Sequence, residues 1–173
     1  MTALTSKPQL AAIRKIGLKP GKSFEIVDQP SGNAAYVSEK SDVLTNFQLP
    51  LKYGNYGFIA HNYLAGKEFS QLRIGDILTA EDMQGTNRKY RITRIEKFQA
   101  LDPKSPRSKF VDLSTNKTLT ADEVFKRVYT GDHRLVLQTC ISKDGNHEWG
   151  RMFIIAKSES ALEKLPPFRR TSL

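Results

Sequence analysis

The stretch RLVLQTCISKDGNHEWGRMFIIAK, residues 134–157, contains two apolar runs separated by a polar segment. Each run is continuously apolar over several residues, which is typical of strands that are buried on both faces. The segment between them contains Asp144-Gly145-Asn146, a strong turn signal. Together these features predict two strands, at about 134–141 and 150–157, that pair as an antiparallel hairpin.

The rest of the chain also favours short strands. Further apolar runs, separated by turn residues, occur at 24–27, 34–37 and 56–61. A longer strand is predicted at 89–101, where imperfect alternation indicates a β-bulge. One helix is predicted, because Thr120 and Glu123 form a capping-box signature ahead of an apolar stripe. This pattern predicts a mainly β domain, either a sandwich or a closed barrel, with one or two helices.

Length and composition indicate one soluble domain. The chain has 173 residues, of which 39% are hydrophobic, and this is enough for one core. No segment approaches the roughly 20 apolar residues that a transmembrane helix needs, and the N-terminal segment lacks the apolar region of a signal peptide. We expect a tail or short helix at 1–22, one folded domain at 23–160 and a tail at 161–173.

The charge is strongly basic, with 27 lysines and arginines against 18 acidic residues and a formal net charge of +9. Such a surface favours anionic partners. The basic residues are spread along the chain and no nucleic-acid-binding motif is present, so no nucleic-acid partner is expected. The single cysteine excludes an internal disulfide, and the three histidines lack metal-binding spacing. We therefore expect neither a metal nor a cofactor.

The predicted hairpin gives the only cysteine a charged neighbour. Cys140 ends the first strand and Arg151 begins the second, so antiparallel pairing brings them together at one end of the sheet. A thiolate is a nucleophile, and its attack on an amide carbonyl creates an oxyanion that a fixed guanidinium can stabilise. With a histidine nearby, this pair would form a workable acyl-transfer site.

Spacing alone does not identify that histidine. His133 lies seven residues before Cys140, roughly 23 Å away if the segment is extended, so it is a poor base for this thiol. Arg134 is likewise too distant to be an oxyanion donor. His147 lies in the hairpin loop and could fold back, whereas His61 ends an apolar run and could sit at a strand end. Both alternatives stay open on spacing.

A non-catalytic interpretation competes with this one. A lone cysteine in an apolar strand is most often a small buried side chain. The chain would then be a basic β-barrel binding module for an anionic polymer, and its binding would be sensitive to salt.

Two motifs, in the same order along the chain, resemble the sortase family. The segment LVLQTC (135–140), followed after ten residues by Arg151 and MFIIAK, is similar to the signature in which a Thr-Cys pair ends one strand and an arginine begins the next. Upstream, FIAHNYLAGKEFSQLRIGDIL (58–78) resembles the segment in which a histidine ends a strand and a Phe-x-x-Leu turn and a Gly-Asp pair follow. The strand YRITRIEKF (90–98) fits what comes next. The resemblance covers residues 53–157.

The resemblance implies a closed eight-stranded sortase-like β-barrel with a few short helices, which would form the catalytic domain at 23–160. It implies a cysteine transpeptidase that cleaves a sorting motif near the C-terminus of a substrate protein and forms a thioester. Cys140 would be the nucleophile, His61 the general acid and base, and Arg151 the group that steadies the substrate and the oxyanion. Thr139 would support the oxyanion through its backbone or its hydroxyl.

The resemblance also implies partners and a location. The partners would be substrate proteins that carry a sorting-motif peptide, and an amine acceptor such as a cell-wall or pilin nucleophile. The location would be the bacterial cell surface, with membrane contact only through an anchor that this chain does not show. One departure is that the usual Gly-His-Arg is here Ala60-His61-Asn62, which leaves open the details of substrate contact around the histidine.

Overall fold

The computed structural model describes residues 9–162, which contain ten strands and two α-helices. The strands are β1 Ile13–Lys19, β2 Lys22–Asp28, β3 Val43–Asn46, β4 Tyr56–Ile59, β5 Ile77–Asp82, β6 Asn87–Ala100, β7 Phe110–Asp112, β8 Thr118–Leu119, β9 Leu135–Lys143 and β10 Asn146–Ser158. The helices are α1 Ala121–Tyr129 and α2 Glu159–Leu162, and two 3₁₀ helices span Leu49–Tyr53 and Ala65–Gln71.

Eight of these strands close into a barrel. Their order around it is β10-β9-β4-β3-β2-β1-β5-β6, and β6 pairs with β10 to complete the ring. Strands β7 and β8 extend the sheet from the edge of β6, beyond the part that pairs with β5. The predicted closed eight-stranded barrel is therefore confirmed, and closure removes the free edges that an open sheet would expose.

The predicted hairpin forms two adjacent strands of the barrel, β9 and β10. β9 pairs with β10 in the antiparallel register Leu137↔Ile154 and Val136↔Ile155. Leu135, Leu137 and Ile154 point into the main core inside the barrel, whereas Val136 and Ile155 belong to a second cluster on its outer face. Both faces are buried, which explains why these two runs are continuously apolar.

Helix α1 covers that second cluster. Thr120 and Glu123 form the predicted capping box: the Thr120 hydroxyl accepts from the Glu123 backbone N–H at 3.2 Å, and the Glu123 carboxylate accepts from the Thr120 N–H at 2.7 Å. Val124 and Val128 are buried against β9 and β10. The predicted helix is therefore confirmed, and its apolar side chains cover one face of the hairpin.

A buried carboxylate connects α1 to β7. Asp112 Oδ2 accepts from Arg127 Nη1 at 2.8 Å, and Asp112 Oδ1 accepts from the Ser114 hydroxyl at 2.7 Å and its backbone N–H at 2.9 Å. These hydrogen bonds, from Ser114 first and Arg127 next, hold the pKa of Asp112 well below its usual range despite the opposing effect of burial. The ion pair fixes the helix relative to the sheet extension.

Strand β6 contains the predicted bulge. Ile155 pairs with Arg94 while the next residue of β10, Ala156, pairs with Ile92, so Thr93 is the extra residue. The Thr93 hydroxyl donates to the Ile155 carbonyl at 3.3 Å. The bulge lets one strand bend through the barrel wall and continue into the β7–β8 extension.

Three expectations differ from the structure. Residues 13–19, expected in a tail or short helix, form β1 and complete the barrel. The register of β1 against β5 shifts between Ile13 and Lys15, so the buried residues of β1 do not alternate strictly. The sequence therefore lacks the alternating pattern by which a strand is predicted. The run 34–37 is a loop rather than a strand, and the C-terminal tail begins as α2, while residues 163–173 lie outside the described part.

Within residues 9–162, neither α-helix nor 3₁₀ helix is long and apolar enough to cross a bilayer.

Candidate active site

A groove of about 390 Å³ lies on the outer face of the barrel, where β4 and β9 end and β10 begins. It is lined by all three predicted catalytic side chains, His61, Cys140 and Arg151. The structure thus brings together at one place the residues that the two sequence motifs supplied separately.

The hairpin register makes Cys140 and Arg151 direct neighbours. They are cross-strand partners in the β9–β10 ladder, as the spacing predicted. Cys140 is partly buried, and burial raises the pKa of its thiol. The positive charge of Arg151 acts in the opposite direction, and the negative charge of Glu148 adds to the rise. The thiol is therefore mostly protonated at neutral pH, and substrate or a base must draw out the thiolate.

Three backbone carbonyls fix the guanidinium of Arg151. Nη1 donates to the carbonyls of Glu148 and Gly150, each at 3.0 Å, and Nη2 donates to the carbonyl of Pro103 at 3.2 Å. Arg151 is partly buried, so little freedom is left for the charged group. A positively charged fork held at a set position beside a nucleophile is suited to bind a developing oxyanion.

The parallel pairing of β4 with β9 explains the position of His61. Ile59 pairs with Gln138, so the register carried two residues further brings His61 level with Cys140. The Ala60 N–H continues the ladder by donating to the Gln138 carbonyl at 3.1 Å. The histidine therefore reaches the groove because β4 and β9 run in the same direction and end at the same edge.

Two side chains that the sequence reasoning missed hold the imidazole of His61. Its Nε2 lies 3.3 Å from Glu39 Oε1, and its ring stacks on Tyr63 with 5.1 Å between centroids and 18° between planes. The Tyr63 hydroxyl donates to Glu39 Oε2 at 3.1 Å. The carboxylate thus joins the histidine to the tyrosine and fixes the orientation of the imidazole ring. Glu39 comes from the loop before β3, and no sequence signal connects it to His61.

Thr139 connects the two strands that hold the cysteine and the histidine. Its side chain is buried, and its hydroxyl donates to the Ala60 carbonyl at 2.8 Å. The hydroxyl proton is therefore already used, so the expected support of an oxyanion through this hydroxyl does not fit the structure. A role for the Thr139 backbone stays a prediction. What the hydroxyl does instead is fix the segment that ends in His61.

Gly66 is required directly behind His61. Its N–H donates to the His61 carbonyl at 3.0 Å. A Cβ at this position would lie 2.7 Å from the His61 carbonyl oxygen and 2.8 Å from that of Ala60, closer than van der Waals contact allows. Glycine is thus the residue that lets the 3₁₀ helix pack against the strand end. A glycine five residues after the histidine, just ahead of the Phe-x-x-Leu turn, is the signal that could have identified it.

A second cavity, of about 460 Å³, reaches Cys140 from the open end of the barrel. Asn62 closes it on one side: its Nδ2 donates to the Ser142 hydroxyl at 2.8 Å and to the His147 carbonyl at 2.9 Å. His147 Nδ1 lies 3.2 Å from the same hydroxyl. The hairpin histidine does fold back toward the cysteine, but it is held by Ser142 in a different cavity from His61. Asn62, the departure from the sortase pattern, thus organises the hairpin end.

The loop after β2 forms the far wall of the groove. Gln29 is buried, and its Nε2 donates to the carbonyls of Ala34 and Tyr36 at 2.8 and 3.1 Å. These bonds replace the strand partners that the run 34–37 lacks, and they hold Ala34, Ala35 and Val37 at the groove. Apolar side chains held in place by Gln29 therefore form part of the groove lining.

Solved sortase structures share this fold. Sortase A from Corynebacterium diphtheriae matches with a TM-score of 0.56 and 14% sequence identity, over 92% of this chain and 64% of that one. Sortase C-1 from Actinomyces oris matches with a TM-score of 0.53 and 14% identity, over 83% of this chain and 72% of that one. Sortase A from Listeria monocytogenes matches with a TM-score of 0.50 and 14% identity, over 86% of this chain and 88% of that one.

At these identities the likeness establishes the architecture: the chain has the sortase fold. A scan of the sequence against models of protein families finds no match, and a search of curated proteins finds none either.

Proposed function

We propose that the protein is a sortase-type cysteine transpeptidase. The observation that carries the proposal is that a single groove of the sortase fold is lined by His61, Cys140 and Arg151. A histidine, a thiol and a fixed guanidinium are the groups that acyl transfer through a thioester requires. In this proposal the substrates are proteins with a sorting-motif peptide, the acceptor is a primary amine, and both meet the protein at the bacterial cell surface.

The first half of the reaction forms the thioester. The Cys140 thiol passes its proton to His61, and the resulting thiolate attacks the carbonyl carbon of the scissile peptide bond. The carbonyl oxygen becomes an oxyanion that the Arg151 guanidinium stabilises. The C–N bond then breaks as His61 donates a proton to the departing amine. The acyl group stays on the sulfur, and the C-terminal fragment of the substrate leaves as an amine.

The second half transfers the acyl group. The incoming amine gives up a proton to the now neutral His61 and attacks the thioester carbonyl. The C–S bond breaks, Cys140 leaves as a thiolate, and a new amide forms. Glu39 lies 3.3 Å from His61 Nε2 and so helps to keep the imidazole in one orientation during both proton transfers. If water replaces the amine, the same residues perform hydrolysis.

The test is to detect the acyl-enzyme. The full chain is incubated with a panel of sorting-motif peptides, with and without a glycine-based amine, and the intact mass is measured. We expect an adduct on Cys140 that disappears when the amine is added, and that is absent in Cys140→Ala. His61→Ala should lower the rate of adduct formation by at least about 100-fold, the usual contribution of a general acid.

His147→Ala is the matched control, because His147 also lies near Cys140 but in the second cavity. It should retain most of the rate. A folded protein that forms no adduct with any peptide would reject the transpeptidase and leave the non-catalytic binding module. Equal losses in the two histidine variants would reject the assignment of His61.

A further inference from the structure

A third cavity, separate from the groove and from the second cavity near Cys140, lies on the outer face of the barrel. It is at the end of β9 that is opposite Cys140. It measures about 520 Å³ and is lined by four cationic side chains, Arg94, Arg127, Arg134 and Lys157. They come from β6, α1, the residue before β9, and β10, so four separate elements direct positive charge into one space. Arg134 and Cys140 are six residues apart along an extended segment, which separates the cavity from the thiol by about 20 Å.

Arg134 is the central group of this cavity. It is only 8% exposed. Nε donates to the Asp132 carbonyl at 2.9 Å, and Nη1 makes two long contacts with carbonyls at the end of α1, at 3.4 and 3.5 Å. Within residues 9–162, no acceptor is bonded to Nη2 and no carboxylate forms an ion pair with this guanidinium. A buried charge without a counter-charge is costly, so this group is suited to receive an anion.

Gly131 makes room for that exposed end of the guanidinium. Its φ is +100°, and a Cβ there would lie 2.7 Å from Arg134 Nη2. The backbone thus approaches the charged group closely without blocking it.

The acidic residues nearby neutralise other cations. Arg127 is paired with Asp112 at 2.8 Å and with Glu96 at 2.9 Å, and Arg94 shares Glu96 at 3.0 Å. Lys157 has only a long contact of 3.7 Å with the exposed Asp132. The uncompensated charge is therefore concentrated on Arg134 and Lys157.

The pKa of Arg134 reflects its burial and the charges around it. Burial lowers the pKa of Arg134 and the positive charge of Arg94 lowers it further, while the negative charges of Asp132 and Glu96 oppose the shift without reversing it. An anion placed between the two arginines and Lys157 would relieve both effects.

We propose that this cavity binds a phosphate group through Arg94, Arg134 and Lys157. A phosphate offers several acceptor oxygens and one to two negative charges, which suits a guanidinium fork combined with an ammonium group. The hydroxyls of Thr93 and Thr130 already donate to backbone carbonyls, so the free donors of the cavity are cationic, as an anion site requires. The site is independent of the proposed transpeptidase activity and does not include its residues.

The first experiment titrates inorganic phosphate into the full chain at constant ionic strength and follows backbone amide shifts by NMR. We expect saturable shifts centred on Gly131 and Arg134. Lys157→Ala and Arg94→Ala should each weaken the affinity by at least about tenfold, the effect of losing one charge-assisted hydrogen bond. Since Arg134→Ala also removes contacts at the end of α1, Arg134→Lys serves as the second variant, because it keeps the charge but loses the fork.

Lys143→Ala is the matched control. It removes the same single charge from the far end of β9, about 30 Å from Arg134, and should leave phosphate affinity unchanged. Absence of saturable shifts in the cavity, or an equal loss of affinity in Lys143→Ala, would overturn the proposal.

A second arm identifies the source of the phosphate. Cosedimentation with phosphatidylglycerol vesicles, against phosphatidylcholine vesicles, tests a lipid headgroup. The site is assigned to a lipid headgroup if vesicle binding is abolished by Lys157→Ala and competed by inorganic phosphate. Phosphate binding without vesicle binding assigns the site to a soluble phosphate compound. Vesicle binding that is reduced neither by Lys157→Ala nor by inorganic phosphate would count against the site.

Discussion

Gly66→Ala is a small change that tests how the strand end presents His61. The added methyl group would sit 2.7 and 2.8 Å from two backbone carbonyl oxygens, those of His61 and Ala60. Normal carbon–oxygen contact needs roughly half an ångström more on each side. Both carbonyls belong to the backbone and cannot rotate away as a side chain could. The atom nearest to the new methyl group would be the Thr139 hydroxyl oxygen, which is itself held by its hydrogen bond to the Ala60 carbonyl. The strand end or the 3₁₀ helix must therefore move.

The expected magnitude follows from that geometry. Overpacking of one methyl group into a closed site costs about 1–3 kcal/mol of stability. The displacement falls on the residue that carries the proposed acid, and a shift of this size in a catalytic group lowers rates by about 10- to 100-fold. We expect both effects in Gly66→Ala: a lower unfolding free energy in urea, and slower thioester formation on Cys140 by intact mass.

Gly17→Ala is the matched control. A Cβ at Gly17 would meet the hydroxyl of Thr79, which can turn away because it is the end of a side chain. This substitution is on β1, remote from the groove, and should leave the rate unchanged. The reasoning about the strand end is refuted if two results are found together. These are an unfolding free energy of Gly66→Ala within about 0.5 kcal/mol of the parent, a typical surface effect, and thioester formation at the parent rate.

Three further predictions concern the groove and its support. Because burial raises the pKa of Cys140, alkylation by iodoacetamide should still be accelerating above about pH 8.5; the midpoint should fall in Glu148→Gln and rise in Arg151→Gln, and a reversed order would contradict this account. Asp112→Asn should cost about 1–3 kcal/mol at neutral pH in urea unfolding. Since the pKa of Asp112 is depressed in the folded state, its contribution is present above the unfolded value and the cost should shrink as the pH falls below about 4; a cost independent of pH would exclude the ion pair as its cause. Gln29→Ala removes two buried hydrogen bonds that hold the groove wall, so we expect a higher KM for peptide with little change in kcat, and an unchanged KM would show that the wall does not contact substrate.

The sequence predicts the cysteine–arginine pair because the interaction is local. Cys140 and Arg151 belong to one hairpin, and its turn and apolar runs are enough to bring them together. His61 is different. It reaches the groove through a parallel pairing between β4 and β9, whose partners are 79 residues apart, and spacing carries no information on which strands become neighbours. Only the resemblance to sortases indicated this residue, and the structure supplies the physical reason for its position.

The supporting residues were harder to predict. Glu39 contacts His61 from a loop with no regular pattern, and Gln29 holds the groove wall through its side chain rather than through a strand. Thr139 was expected to support the oxyanion through its backbone or its hydroxyl, but the hydroxyl donates to the Ala60 carbonyl, just after β4. Such contacts depend on the tertiary positions of loops, which a one-dimensional pattern does not determine.

The bond from Arg151 to the Pro103 carbonyl connects a surface loop to the candidate active site. Loops between strands usually tolerate changes of length and sequence, and they are where related proteins diverge in the ligands they accept. In this protein, remodelling of residues 101–109 would remove one of the three oxygens that orient the guanidinium. For the proposed transpeptidase, an exchange of this loop would therefore alter the position of Arg151 together with any contact that the loop makes with substrate, and it should be accompanied by a new acceptor for Nη2.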